Sequence, residues 1–303
     1  MIFAWINEHL EDGGGCGCGC GGGGGCGCGW PVGVLCETLG VSRSGYYAWR
    51  GRGPSDQAKR RAALLAQIER AYEVGRSNYG SPRVTAELKD QEVTVCENTV
   101  AKLMRQAGLA AKPKRRYVPY TTDSGHDCPV APNRLDRDFA ADLPDRRWTA
   151  DITYVPTDEG WLYLAVVMDL FSRRIVGWSM RPHLKAELAC EALQMAIRGR
   201  RPDAGLLHHS DRGVQYACAT YRQMLTEAKI EPSMSRTGNC YDNAVTESFF
   251  STLKTELVHH ERYQTHEQAR RSLFEWIEVF YNRQRRHSAL GYLSPEAFEA
   301  KLN

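Results

Sequence analysis

Hydrophobic spacing divides the chain into a helical front and a strand-rich back. Residues 32–39 form a short apolar run closed by Gly40, and Ser42 stands where its hydroxyl can cap a second helix reaching Trp49. Helix, glycine turn and capped helix make the outline of a helix-turn-helix. Residues 50–56 (RGRGPSD) read as a linker. Helical periodicity resumes over residues 57–72, with Leu64, Leu65, Ile68 and Tyr72 on one side and a basic opposite face. Ser81-Pro82 predicts a helix start, a capping hydroxyl followed by proline in the first turn, for a short helix over residues 83–89. After a turn, residues 97–106 predict another helix. Val100, Leu103 and Met104 point inward, Lys102 and Arg105 outward, and Gly108 supplies the C-terminal cap. This is a second helix-turn-helix outline.

The texture changes after a polar, proline-containing linker at residues 117–145. Residues 147–156, 161–170 and 174–180 read as three strands joined by short turns. A helix over 185–198, a strand over 205–209 ending in SDRG, a helix over 220–229 and a strand over 231–235 follow. The order βββ-α-β-α-β-α predicts a mixed five-stranded sheet flanked by helices, an α/β domain of about 150 residues. The last helix of that series begins after Gly238, with Asp242 or Asn243 as its cap. Val245, Phe249, Leu253 and Leu257 make its apolar stripe, with Phe250 at the edge, and Glu247, Ser251 and Lys254 an adjacent polar one. A tail helix is expected from Thr265 to about Tyr281.

Charge sharpens this division. The net charge is +3, but residues 43–120 hold 16 Lys/Arg against 7 Asp/Glu, a net +9 that leaves −6 for the rest. A basic helical region joined to an acidic α/β domain points to a polyanion held by one and worked on by carboxylates of the other. The basic arm Lys112, Lys114, Arg115 and Arg116 suits phosphates. No apolar run of ~18 residues predicts a membrane span, and the start lacks the order of a signal peptide. The expectation is a cytoplasmic protein. Five of the 11 cysteines alternate with glycine in residues 13–29. That tract reads as a low-complexity insertion, with soft-metal binding as the lesser alternative. The other six are scattered without C-x-x-C spacing, as in a reducing compartment.

Three acids stand where acids need a reason. Asp151 interrupts a strand, where carboxylates are disfavoured. Asp211 follows the fourth strand directly, at the carboxyl end where α/β sheets bind ligands. Glu247 lies in the first turn of its helix. Carboxylates gathered in one place repel unless a cation neutralises them. An all-oxygen set with room for phosphate selects Mg²⁺ or Mn²⁺. Two such ions about 4 Å apart can serve both the attacking and the leaving oxygen of a phosphodiester.

The spacing D-x59-D-x35-E, with Lys254 seven residues after Glu247, resembles the catalytic core of retroviral integrases and insertion-sequence transposases. WTADITYV, HHSDRGVQY, SRTGNCYDNAVTESFFSTLKTEL and YNRQRRHSALGYLSP resemble more closely the OrfB product of the family founded by insertion sequence three, over about residues 31–300. The resemblance implies an RNase H-like fold and a DDE recombinase that nicks the element end and uses the freed 3′-hydroxyl for strand transfer. It implies Asp151, Asp211 and Glu247 as ligands of two Mg²⁺ or Mn²⁺ ions and Lys254 as a DNA contact near the reacting phosphate. DNA contacts are also expected from Lys102, Arg105, Lys112, Lys114, Arg115 and Arg116. Expected partners are double-stranded DNA, the OrfA product or an OrfA–OrfB fusion, and further copies of the chain. The resemblance implies that the active form is usually such a fusion, and the OrfA half is expected from outside this chain. A DNA-binding regulator or decayed copy without catalysis is the alternative.

The expected organisation is an N-terminal segment (1–30), a helix-turn-helix-like segment (31–56), a DNA-binding domain with its arm (57–116), a linker (117–145), the catalytic core (146–285) and a tail (286–303). Several other residues carry two readings. Asp169 could be a fourth acid, but its place before Phe171-Ser172 favours a turn cap. His208 and His209 alternate across a strand, so at most one nears Asp211. Structural roles are favoured for both, with His209 a lesser candidate for a substrate contact. Trp148 and Trp178 are expected in the core. Arg285, Arg286 and His287 could touch DNA or lie on a solvated face.

Overall fold

The computed structural model describes residues 2–10, 30–113, 129–236 and 240–302. The glycine–cysteine tract and the arm residues Lys114, Arg115 and Arg116 lie outside them. The chain gathers into two compact units, Met1–Gln67 and Ile68–Asn303.

In the first unit, α1 (Ile2–Glu8), α2 (Val32–Thr38) and α3 (Arg43–Gly51) close around Ile6, Leu35, Cys36 and Tyr46. The Ser42 hydroxyl accepts from the Gly45 N–H at 3.0 Å, so the cap expected from sequence forms. Helix α1 has no counterpart in the hydrophobic pattern read from sequence. It is held through Asn7, which accepts a 3.0 Å bond from the Tyr46 hydroxyl.

Helix α4 (Asp56–Val74) crosses the division. Beyond it, α5 (Ser81–Asp90) packs on α6 (Glu97–Gln106) through Val84, Leu88, Val100, Leu103 and Met104. The start of α5 differs from the expected one. Gly80 holds the cap position, Ser81 is already helical, and its hydroxyl donates to Glu97 at 3.3 Å instead of capping its own helix. Cys96 occupies the cap of α6 without a side-chain bond to the backbone. Gly108 takes φ = 70°, the left-handed geometry a side chain would strain.

Strands β1 (Arg147–Thr157), β2 (Gly160–Asp169) and β3 (Ile175–Arg181) form an antiparallel meander. Helix α7 (Ala186–Arg200) then leads to β4 (Leu207–Ser210), which joins β1 in parallel. Helices α8 (Val214–Ala217) and α9 (Ala219–Glu227) lead to β5 (Glu231–Met234), parallel to β4. The sheet order is β3-β2-β1-β4-β5. One face is sealed by α7, α8 and α9 around Trp148, Ala150, Leu188, Leu193, Tyr216 and Tyr221. The other receives α10 (Ala244–Glu256), which follows a 3₁₀ turn at Cys240–Asn243. Helix α11 (His266–Phe274), capped by Thr265, continues in wide π-type turns over Glu275–Tyr281, and α12 (Pro295–Glu299) ends the fold. Among the described residues no helix is long and apolar enough to cross a membrane.

Helix α10 is rotated from its sequence reading. Phe249, Phe250 and Leu253 are buried as expected, but Val245 and Leu257 are half-buried while Thr246, Lys254 and Glu256 are buried. Neither Asp242 nor Asn243 caps it with a side-chain bond. Both side chains bond elsewhere.

Candidate active site

The sixty-residue step from Asp151 to Asp211 is the register of two strands. Thr149 pairs with His209 in the parallel β1–β4 ladder. Two residues further along each chain come Asp151, within β1, and Asp211, the first residue after β4. Adjacent strands lie about 4.8 Å apart, so residues in step along them are neighbours. Asp151 accepts from the Ile152 N–H at 2.7 Å, and Asp211 from the Gly213 N–H at 2.8 Å.

Glu247 arrives from α10. Burial pushes the Asp151 carboxyl well above its ordinary range; the charges of Asp211 and Glu247 push it further, and Lys254 opposes them. Glu247 is raised by partial desolvation. Lys254 is buried, its ammonium 4.8 Å from the centre of the Tyr154 ring; burial lowers its pKa and Asp151 counteracts that. Asp151 thus feels the charges of Asp211, Glu247 and Lys254 together. Among the described residues no trio of His, Cys, Asp or Glu forms a ready-made metal cluster.

A small polar net sets the start of α10 against β1. The Thr149 hydroxyl donates to Asn243 Oδ1 at 2.5 Å, the Thr246 hydroxyl donates to the same oxygen at 3.0 Å, and Asn243 Nδ2 donates to the Ala150 carbonyl at 3.3 Å. Sequence reading made Asn243 a helix cap; its bonds to residues 93 and 94 positions away were invisible there. Asp242 is fully buried and accepts from Arg236, Arg137 and Asn133. Burial would raise its pKa, yet those Arg236 and Arg137 bonds hold it below the ordinary value. Tyr216 is another residue the sequence did not single out. Its hydroxyl is buried without a hydrogen-bond partner, and its pKa is raised well above the ordinary value by burial and then by Asp151.

The remaining candidates fall elsewhere. Asp169 is fully buried and accepts the N–H groups of Asp145, Phe171 and Ser172, at 2.6, 2.7 and 3.3 Å, the bonding of a turn cap. His208 bonds the Tyr221 hydroxyl at 2.6 Å, and His209 bonds Ser233 and Ser235 at 2.8 and 3.1 Å. Both rings are buried and their pKa values lowered by desolvation, to about 3 and about 4. Trp148 is core, whereas Trp178 is half-buried and donates to Glu278 at 2.7 Å. Arg285 pairs with Glu256, and Arg286 with Glu87 and Asp90, so neither is a solvated charge. Half-buried His287 meets the Tyr281 ring edge-on. Lys102 and Arg105 are exposed on α6, while Lys112 donates to the Glu256 carbonyl at 2.9 Å.

A mixed sheet of this order with acids at the β1–β4 junction is the architecture of an integrase-type core. Family models described as "Integrase core domain" match residues 141–240 and 228–295, and one described as "HTH-like domain" matches residues 59–117. The "Insertion element IS600 uncharacterized 31 kDa protein" of Shigella sonnei is 46% identical over 269 residues, covering 89% of this chain and 98% of that protein. The "Transposase InsF for insertion sequence IS3A" of Escherichia coli (strain K12) is 44% identical over 272 residues, covering 89% and 94%. The chain belongs to the IS3-family InsF transposases. Similar solved structures include the HTLV-2 integrase catalytic core domain in complex with magnesium, at 16% identity and a TM-score of 0.40, covering 53% of this chain and 99% of that one. A simian T-cell lymphotropic virus intasome in complex with PP2A regulatory subunit B56 gamma is 15% identical with a TM-score of 0.45, covering 73% and 70%.

Proposed function

We propose that the chain is a DDE transposase whose acids Asp151, Asp211 and Glu247 act together on the ends of an insertion sequence. The observation that supports this reading is that the charges of Asp211 and Glu247 both act on Asp151, the β1–β4 register leading the chain to the first two acids. In the first step water attacks a phosphorus at the element end, and the P–O3′ bond breaks to leave a 3′-hydroxyl. In the second, that hydroxyl attacks a target phosphodiester; a new P–O bond forms as the target's own P–O3′ bond breaks.

The donor set suits Mg²⁺ or Mn²⁺. It is all oxygen, its charges repel when uncompensated, and the unpartnered Tyr216 hydroxyl nearby leaves polar capacity unused. Asp151, Asp211 and Glu247 would hold two ions, which would lower the charge on phosphate and activate the attacking oxygen. Lys254, held on the Tyr154 ring beside Asp151, would meet the DNA backbone close to the reacting phosphate. Lys102 and Arg105, exposed on α6, together with Lys114, Arg115 and Arg116, would hold flanking phosphates, while Lys112 is engaged by the Glu256 carbonyl. The core, from about residue 146, would thus be served by a DNA-binding region before it. The OrfA product, or a fusion with it, would complete the assembly, and synapsis of two ends calls for several copies on the nucleoid's DNA.

The test is a nicking and strand-transfer assay on end-containing duplexes with Mg²⁺ or Mn²⁺, in the presence of OrfA. Asp151→Asn, Asp211→Asn and Glu247→Gln should each lower both steps at least about 100-fold while leaving DNA binding in place. Undiminished cleavage in those variants would overturn the proposal.

A further inference from the structure

We infer that Glu256 is a positioning residue that fastens the far end of the catalytic helix to the helix-turn-helix-like region. It is the last residue of α10, nine positions beyond Glu247 on the same rod, or about 13 Å at the helical rise. The start of that rod is fixed on the sheet through Asn243; Glu256 fixes its end.

One glutamate gathers three cations there. Its carboxylate accepts from Arg285 Nη2 at 2.6 Å and Nε at 2.8 Å, a fork of two bonds between groups only 8% and 4% exposed. Arg83, on α5, brings a second guanidinium to 3.6 Å of the same carboxylate. Lys112, just past α6, donates to the Glu256 carbonyl at 2.9 Å. Arg83 belongs to a helix of the region expected to hold DNA, Lys112 to its basic arm, and Arg285 to the end of the core. Parallel ties reinforce the docking. Arg286 bonds Glu87 and Asp90, each at 2.7 Å, its N–H donates to the Tyr79 hydroxyl at 2.9 Å, and Arg76 bonds Glu275 at 2.8 Å.

The chemistry is poorly suited to stability alone. A buried carboxylate at a helix C-terminus faces the negative end of the dipole, and burying it with its partners costs desolvation that an apolar residue would avoid. What a forked charge pair supplies is a fixed register. Arg83 has its pKa lowered by burial and then by the neighbouring Arg285 charge, so it stays beside Arg285 because Glu256 stands between them. The clamp therefore fixes where Glu247 and Lys254 stand relative to DNA carried by α5 and α6.

This inference rests on the transposase reading, and Arg83→Met tests it because the change cuts the link while leaving Glu256–Arg285 intact. Single-turnover nicking on end DNA should slow about tenfold, with half-saturating DNA changed by less than about threefold, since small displacements of reacting groups are costly. Amide hydrogen exchange should quicken along residues 244–256 and not in β1 or β2, and Arg83→Lys should restore part of the rate. Weaker DNA binding at an unchanged rate would make Arg83 a DNA contact and overturn the clamp. So would an even loss of melting temperature and every other property, or no change at all. If the unaltered protein cuts no DNA, the transposase reading fails; the exchange rates along α10 still decide the clamp.

Discussion

Thr149 and Asn243 share a 2.5 Å hydrogen bond that ties β1 to the residue just before α10, two positions from Asp151. Thr246 adds a 3.0 Å bond to the same amide oxygen, and all three residues are buried. Asn243→Ala would leave two hydroxyls and the Ala150 carbonyl short of partners. Each orphaned buried group costs on the order of 1–3 kcal/mol, partly recovered where the hydroxyls bond one another. Urea unfolding should register a loss of about 2 kcal/mol. Nicking should fall more than DNA binding, because the net orients the helix bearing Glu247. A stability unchanged within about 0.5 kcal/mol would show the net to be dispensable.

Much of this architecture was legible in the sequence because it is local. Gly108 and the 3.6-residue pattern delimit α6 as Glu97–Gln106, and alternation delimits the three-stranded meander. Asp151 and Asp211 stood out because an acid within a strand and another at a strand end demand an explanation. What stayed hidden depends on partners remote in the chain. The Ser81 hydroxyl turns to Glu97, 16 residues away, and Asn243 turns to β1. Arg286 reaches Glu87 across 199 residues, so its basic run looked like a choice between DNA and solvent. The burial of Glu256 was equally invisible, since a charged residue closing an amphipathic helix ordinarily faces water.

The exposed cations of α6 should act through phosphates, without base preference. Lys102→Ala and Arg105→Ala should each weaken duplex binding across sequences and lower the slope of log K against log salt by about 0.9. Fluorescence anisotropy between low and moderate salt measures this directly. A sequence-selective loss with an unchanged slope would instead mean contacts to base edges.

Acid should destabilise the tail through His287. Burial, followed by the charges of Arg285, Arg83 and Arg173, lowers its pKa from 6.5 to about 2. A base with a depressed folded pKa contributes stability that is complete above the unfolded value and lost as pH falls below about 6.5. At pH 5 the loss approaches about 2 kcal/mol as an upper limit. Asp169 works in the opposite sense. Burial raises it to about 6, so stability declines as pH rises from 3.8 through 6 and then levels off. Between pH 4 and 6 the two nearly cancel in the parent protein. His287→Gln should unmask Asp169, becoming more stable relative to the parent on going from pH 7 to pH 5. Parallel pH profiles in denaturant titrations would contradict the His287 assignment, and a variant whose stability does not rise from pH 7 to pH 5 would contradict that of Asp169.

Tyr154 should matter to chemistry through its ring and not through its hydroxyl. It follows Asp151 by three positions on β1, and its ring centre lies 4.8 Å from the Lys254 ammonium while Trp161 packs edge-on at 4.8 Å. A cation over an aromatic face gains on the order of 0.5–2 kcal/mol when partly desolvated. Tyr154→Phe keeps the face and should nick DNA at close to the parent rate. Tyr154→Leu keeps bulk but loses the quadrupole, and should slow nicking about fivefold, the equivalent of roughly 1 kcal/mol. Combined with Lys254→Met, the leucine change should add little further, because the ring acts through the lysine. Full additivity of the two losses would mean that Tyr154 serves the site independently of Lys254.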